Sequence, residues 1–219
     1  MQKIGKLIRI TENNDWVVYC ILGSIFAYIF MLSVFQRDAN IKDFLTQKVD
    51  DSSNLLPSWL MISIVRNVLI ATLLSQFVPI VPKVFTDIQV AGFQINKFGF
   101  TFLALLVFDI LRNILTFLFY ASVGSSKNLK GLTLASSKYY FVESIGLIIA
   151  GFALYFYPVD LVRFFYIIIL IISCSFLLKN LIYLFHNQPV LPGKWYYKFL
   201  YICTLQIVPV LVLWKFLFY

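Results

Sequence analysis

The sequence predicts an all-α fold, a polytopic transmembrane helical bundle of six spans joined by short loops. Three observations predict it. Of the 219 residues, 61% are hydrophobic and only 13% charged, where a soluble domain is about half apolar and about a quarter charged. The mean hydropathy is +0.86. The apolar residues gather into runs long enough to cross a bilayer, and no connection between them is large enough to be a soluble catalytic domain. The whole chain therefore reads as one integral membrane domain.

The N-terminal stretch MQKIGKLIRITENNDW is basic, then polar, with no small-residue cleavage site after the first apolar run. It does not read as a cleaved signal, so the first run is expected to be a retained anchor. That run is Trp16–Phe35, opened by the helix-capping residues Asn14 and Asp15. The next connection, Gln36–Leu56, mixes Arg37, Asp38, Lys42, Asp43, Lys48, Asp50 and Asp51 with Ile41, Phe44 and Leu45. It is expected to hold an amphipathic turn or two at the membrane surface. The second span is Ser58–Val78, behind Pro57, and the third is Phe98–Ser122. Between them, Pro79–Lys97 carries two prolines and Gly92, which suits a loop or a short re-entrant piece.

Gly124–Lys138 is rich in Ser, Gly and Lys and reads as a mobile connection. The fourth span, Tyr140–Tyr157, is stopped by Pro158, and the fifth runs over 161–184. The tight Tyr157-Pro158-Val159-Asp160 turn makes these two a close helical hairpin. A polar connection with His186, Asn187, Pro189, Pro192 and Gly193 leads to the interfacial anchor Trp195-Tyr196-Tyr197. The sixth span is Phe199–Phe218, bent by Pro209.

Orientation is not decided by charge. With six spans the termini share a side with Lys3, Lys6, Arg9, Lys83, Lys97, Arg163 and Lys215. The opposite side holds Arg37, Lys42, Lys48, Lys127, Lys130, Lys138, Lys179, Lys194 and Lys198. The basic residues ahead of the first span favour cytoplasmic termini. The net charge of +8 fits this topology and anionic lipid. No basic block interleaved with aromatics occurs, so no nucleic-acid partner is expected.

The candidate site is a polar cluster inside the apolar spans: Arg66, Asn67, Asp109, Arg112, Asn113 and Glu143. Charges at bilayer depth are costly and need compensation. Arg66 lies 12 residues from the loop end of its span, Asp109 11 and Arg112 14. At about 1.5 Å per residue these depths agree within a turn. Asp109, Arg112, Asn113, Thr116 and Tyr120 form one helix stripe, and Ser63, Asn67, Ala71 and Ser75 another. Arg66 lies one step off that second stripe, which lets it reach a neighbouring helix instead. Glu143, about 10 Å deep if its helix starts near Ser136, is within reach of Arg112 at about 15 Å. Two arginines with two carboxylates make a neutral cluster. That cluster can be a structural ion-pair network, a contact for a partner subunit, or a conduction path. The echo between SIVRNVLI and DILRNILT, offset by 46 residues, finds no counterpart in the fifth span, as a helix-triplet repeat would require.

Motifs for chemistry are missing. The single histidine, His186, is in a loop and cannot build a histidine-rich metal site. There is no G-x-S-x-G, no phosphate-binding glycine loop and no H-E-x-x-H. Cys20, Cys174 and Cys203 all fall in apolar runs and form no C-x-x-C pair, so they read as small hydrophobes. No enzyme, cofactor or metal is expected.

The last span reads FLYICTLQIVPVLVLWK over Phe199–Lys215, with the pattern Tyr201-x-Cys203-x-Leu205-x-Ile207-x-Pro209. Together with Asn14-Asp15-Trp16 it resembles the small polytopic inner-membrane proteins of Bacteroidota grouped as domain of unknown function 4271. The resemblance implies a bacterial inner-membrane, multi-pass protein with no catalytic residues to carry over. It points to a subunit or accessory factor of a larger membrane complex, such as envelope secretion or gliding machinery, with the lipid bilayer and other integral membrane subunits as partners. The alternative is a small transporter or proton- or ion-conducting protein using the Arg/Asp/Glu cluster.

Overall fold

The computed structural model describes residues 15–36, 40–48, 54–79, 81, 89–90, 93–94, 96–158, 160–185 and 190–218. The predicted cap Asn14 and the basic residues Lys3, Lys6 and Arg9 lie outside the described residues. So do Arg37, Asp38, Asp50, Asp51, Pro82, Lys83, Gly92, Val159 and His186–Pro189.

Six helical stretches are long and apolar enough to cross a membrane: Asp15–Phe35, Leu55–Leu74, Lys97–Ser122, Asn128–Phe156, Leu161–Phe185 and Trp195–Phe218. They correspond one for one to the six predicted runs. The first consists of α1 (Asp15–Phe30) and a π-helical turn, Met31–Phe35. A short helix, α2 (Ile41–Thr46), follows in the predicted surface connection. Its Phe44 is buried edge-on against Phe141, which pins an otherwise polar segment to the bundle. The second span is α3 (Leu55–Leu74), and a two-residue ladder, β1 (Gln89–Val90) with β2 (Phe93–Gln94), lies in the connection after it.

The third span is α4 (Lys97–Ser122). Asn96 caps its start, accepting from the Gly99 amide at 2.8 Å. Its end is a Schellman turn: Ser125 N–H donates to the Tyr120 carbonyl and Gly124 N–H to that of Ala121. Gly124 supplies the left-handed φ of +69° that this turn requires.

The fourth span corrects the sequence reading. Helix α5 covers Ser126–Phe156, so most of the stretch expected to be a mobile connection is helical. Its hydroxyl side chains turn inward on their own backbone: Thr133 donates to Leu129, and Ser136 and Ser137 both donate to Thr133. That satisfies polar groups that otherwise favour loops. Leu132, Leu134 and Ala135 on the same stretch are buried. The hairpin to the fifth span, α6 (Leu161–Phe185), forms as expected, with Asp160 accepting from the Val162 amide.

The sixth span joins α7 (Trp195–Leu200), a π-helical segment Tyr201–Ile207 and α8 (Val208–Phe218). Pro209 has no N–H and its ring crowds the carbonyl one turn back. Widening the preceding turns to a π-helix relieves that clash, and Val208 N–H then donates to Cys203, five residues back. The expected bend at Pro209 is thus taken up as a local widening.

Helix α3 is the centre of the bundle: half of its most apolar window is buried, and its broadest contact is with α5. Helix α6 is at the edge, with only 6% of its most apolar window buried. A ring of aromatics, Phe77, Phe165, Trp214 and Phe218, ties the far ends of α3, α6 and α8 together. At the other end, Tyr120 donates to the Val190 carbonyl at 2.8 Å and packs edge-on to Tyr201. An apolar groove of about 360 Å³ opens between α1 and α3, lined by Ala27, Phe35, Leu60, Met61 and Ile64 among others.

Candidate functional site: a polar centre inside the membrane

The predicted residues do converge. Arg66 and Asn67 leave α3 on adjacent faces, Asp109 and Arg112 sit one turn apart on α4, and Glu143 comes from α5. Arg66, Asn67, Asp109 and Arg112 are all buried. Asp109 is the junction of α3 and α4: its Oδ2 accepts from Asn67 Nδ2 at 2.8 Å, and its Oδ1 lies 3.0 Å from Arg112 Nη2. Asn113 stays half-buried at the edge of the same helix.

Two expectations change. Glu143 pairs with Arg66 rather than Arg112, its Oε2 lying 3.5 Å from Arg66 Nε. Glu143 also accepts from the Ser175 hydroxyl on α6 at 3.2 Å, and that hydroxyl is bonded in turn to Tyr139. Nor is the cluster neutral. Lys179, expected near the end of its span and counted with the loop charges, is buried inside it. Its Nζ donates to Gln206 Oε1 at 2.9 Å, and Gln206 Nε2 donates to the Tyr201 hydroxyl at 2.9 Å. Among the described residues, the centre therefore holds three cations, Arg66, Arg112 and Lys179, against two carboxylates, Asp109 and Glu143.

Tyr140 is the hub that the sequence reading did not single out. Arg66 Cζ lies 4.0 Å over its ring, Arg112 Nη2 donates to its hydroxyl at 2.9 Å, and Lys179 Nζ is 5.7 Å from the ring centre. A ring quadrupole attracts each of these cations, and more strongly out of water. Phe176 and Tyr183 place two further rings within 6 Å of Lys179. The signal for Lys179 was present in the sequence. Ile168, Ile172, Ser175, Lys179 and Tyr183 follow one another at steps of three and four, and Lys179 sits on that stripe.

The π-helical segment matters here. Tyr201 and Gln206 are five residues apart, a spacing that places side chains about 140° apart on a regular α-helix. In the widened turns both are buried and bonded to each other.

Several buried polar atoms at the centre have no hydrogen-bond partner among the described residues: Arg66 Nη1, Ser63 Oγ, Asn67 Oδ1 and Asn180 Oδ1. Buried polar groups are normally satisfied, so each such atom calls for a partner, ordered water included. No cluster of His, Cys, Asp and Glu among the described residues has the makings of a metal site. The three cysteines are free, with Cys174 on the outer surface of α6.

Residues 16–217 match the family described as Domain of unknown function (DUF4271). The chain belongs to this family. The DUF4271 match spans all six membrane-crossing stretches and every residue of the polar centre. This DUF4271 protein is a multi-pass membrane protein. No curated protein and no solved structure matches the chain.

Proposed function

We propose that this DUF4271 protein is a non-enzymatic subunit or assembly factor of a larger protein complex in a bacterial inner membrane, possessing an intramembrane docking centre. The observation that supports this reading is the unbalanced buried charge. Three cations face two carboxylates at a depth where hydrocarbon supplies no counter-charge. A neighbouring membrane protein can supply one. The edge helix α6, which carries Lys179 and Ser175 on its inner face, presents most of its outer surface to such a neighbour. The envelope machines of Bacteroidota, in secretion or gliding, are the complexes in which we place it.

Purification from native membranes in mild detergent tests the reading. A stoichiometric membrane partner should copurify with the wild type and be lost with Arg66→Gln. A stable monomer with no partner would count heavily against it.

A second reading is a small transporter or ion-conducting protein. The unpartnered polar atoms of Ser63, Arg66, Asn67 and Asn180 inside the membrane-crossing helices favour it. Flux in proteoliposomes that disappears with Asp109→Asn would support it, and an electrically silent, impermeable wild type would exclude it.

A further inference from the structure

The charge surplus and the idle hydrogen-bond donors occur together, and together they describe a ligand. Arg66 is nine-tenths buried, yet its Nη1 donates to nothing and its Nε reaches Glu143 only at 3.5 Å. Ser63, one helical turn before Arg66 on the same helix, has a buried hydroxyl with no partner. The buried Tyr28 of α1 lies beside Ser144 and close enough to Arg66 and Glu143 to feel their charges. Two unpartnered donors on α3, Arg66 Nη1 and Ser63 Oγ, therefore belong to or adjoin a group that is one positive charge in excess.

An anion with two oxygens suits these donors. A guanidinium offers a planar fork to a carboxylate, and hydroxyls rotate to meet either oxygen. One negative charge, and no more, balances three cations against two carboxylates. A dianion would overshoot, and a cation would add to the repulsion. Lys179 is the residue that makes the surplus. Its ammonium is held by Gln206, a neutral acceptor, rather than by a carboxylate, so its charge is left for the centre as a whole.

We propose that the polar centre binds a single carboxylate, received by Arg66 with the hydroxyl of Ser63, and balanced in charge by Lys179. The carboxylate is either a small dissolved acid or an acidic side chain on a neighbouring transmembrane helix. The chemistry of the site is the same in both cases.

The test uses the full chain purified in a non-ionic detergent, with formate as the probe. Thermal unfolding is followed by tryptophan fluorescence at constant ionic strength, a bulky sulfonate balancing the formate. Wild type should show a saturable rise of several degrees, because a ligand that binds only the folded state stabilises it by mass action. Arg66→Gln should abolish the rise. Ser63→Ala and Lys179→Gln should each shift half-saturation upward several-fold. Arg163→Gln, at an exposed position outside the centre, should leave it unchanged. No saturable rise in wild type overturns the proposal, as does a rise that Ser63→Ala and Lys179→Gln both leave unaltered. Those milder variants decide the matter even where Arg66→Gln does not fold.

A synthetic leucine–alanine span with one central glutamate then separates the sources. Competition with formate by this peptide, and not by its glutamine twin, assigns the carboxylate to a neighbouring helix. Formate binding without competition assigns it to a dissolved acid. Formate binding by a chain that purifies alone would defeat the subunit role and leave this site standing. A stoichiometric partner with no formate response would do the reverse.

Discussion

The guanidinium of Arg66 lies 4.0 Å above the ring of Tyr140. This contact joins α3 to α5 without a charge on the α5 side, and the hydroxyl of the same tyrosine takes Arg112 from α4. One residue thus holds two like charges in place by two different interactions. Removing the hydroxyl and removing the ring should have separable effects. Tyr140→Phe loses a hydrogen bond to a charged donor, worth about 1.5–3 kcal/mol. Tyr140→Leu also loses the ring under Arg66, a further cost of about 2 kcal/mol for a desolvated pair. The ordering wild type, Phe, Leu in reversible denaturation from detergent micelles checks this. Equal stability of the Phe and Leu variants would show that the ring contact contributes nothing.

Asp109 should be the least replaceable member of the centre. Asp109→Asn removes the carboxylate that Arg112 and Asn67 both use and raises the surplus from one positive charge to two. Breaking a buried ion pair from one side costs about 3–5 kcal/mol. The double variant Asp109→Asn with Arg112→Gln removes both charges and should be less unstable than the sum of the singles. Additive losses in that cycle would mean that the pair is not coupled.

Lys179 should behave in the opposite way. Lys179→Met breaks no ion pair, relieves the positive surplus, gives up three distant ring contacts and leaves Gln206 to find a new partner. The expected loss is about 1.5–3 kcal/mol at most, that of one hydrogen bond to a charged donor, below that of Asp109→Asn. A denaturation midpoint as low as that of Asp109→Asn would show that the ammonium is structural.

Pro209→Ala offers a check on the π-helical segment. Alanine is the better helix former by about 3 kcal/mol in a soluble helix interior, so propensity alone predicts a more stable span. The structure predicts the reverse. With an N–H restored at position 209, the turns can tighten to a regular α-helix, which swings Tyr201 and Gln206 apart and strands Lys179. A lower midpoint in Pro209→Ala that the Pro209→Ala, Lys179→Met pair no longer shows would bear this out, and a higher one would sink it.

Much of the fold was legible because a bilayer imposes a simple rule on sequence. Six apolar runs matched six helical spans, and the depths of Arg66, Asp109 and Arg112 could be counted because an α-helix rises evenly. The counting failed where a helix start was misplaced. Residues 126–138 look like a loop by composition, so Glu143 was measured from Ser136 and matched to the wrong arginine. The hydroxyls of Thr133, Ser136 and Ser137 bond within the helix, and nothing in composition distinguishes that from a polar loop. Lys179 was missed for a related reason. Six residues from the end of its helix, it was counted with the basic residues at the membrane surface, and only its position on a stripe with Ser175 and Tyr183 argued otherwise.

The sequence by itself determined that this is a helical membrane protein with charges at bilayer depth, because hydropathy and helical rise add up along the chain and need no partner. Which charge meets which was decided by the tertiary structure. Ion pairing depends on the rotation and packing of helices far apart in sequence, and on a π-helical turn that redirects two side chains at once. The same packing turned an expected neutral cluster into one carrying a surplus positive charge, since it drew Lys179 inward to Gln206 and the ring of Tyr140.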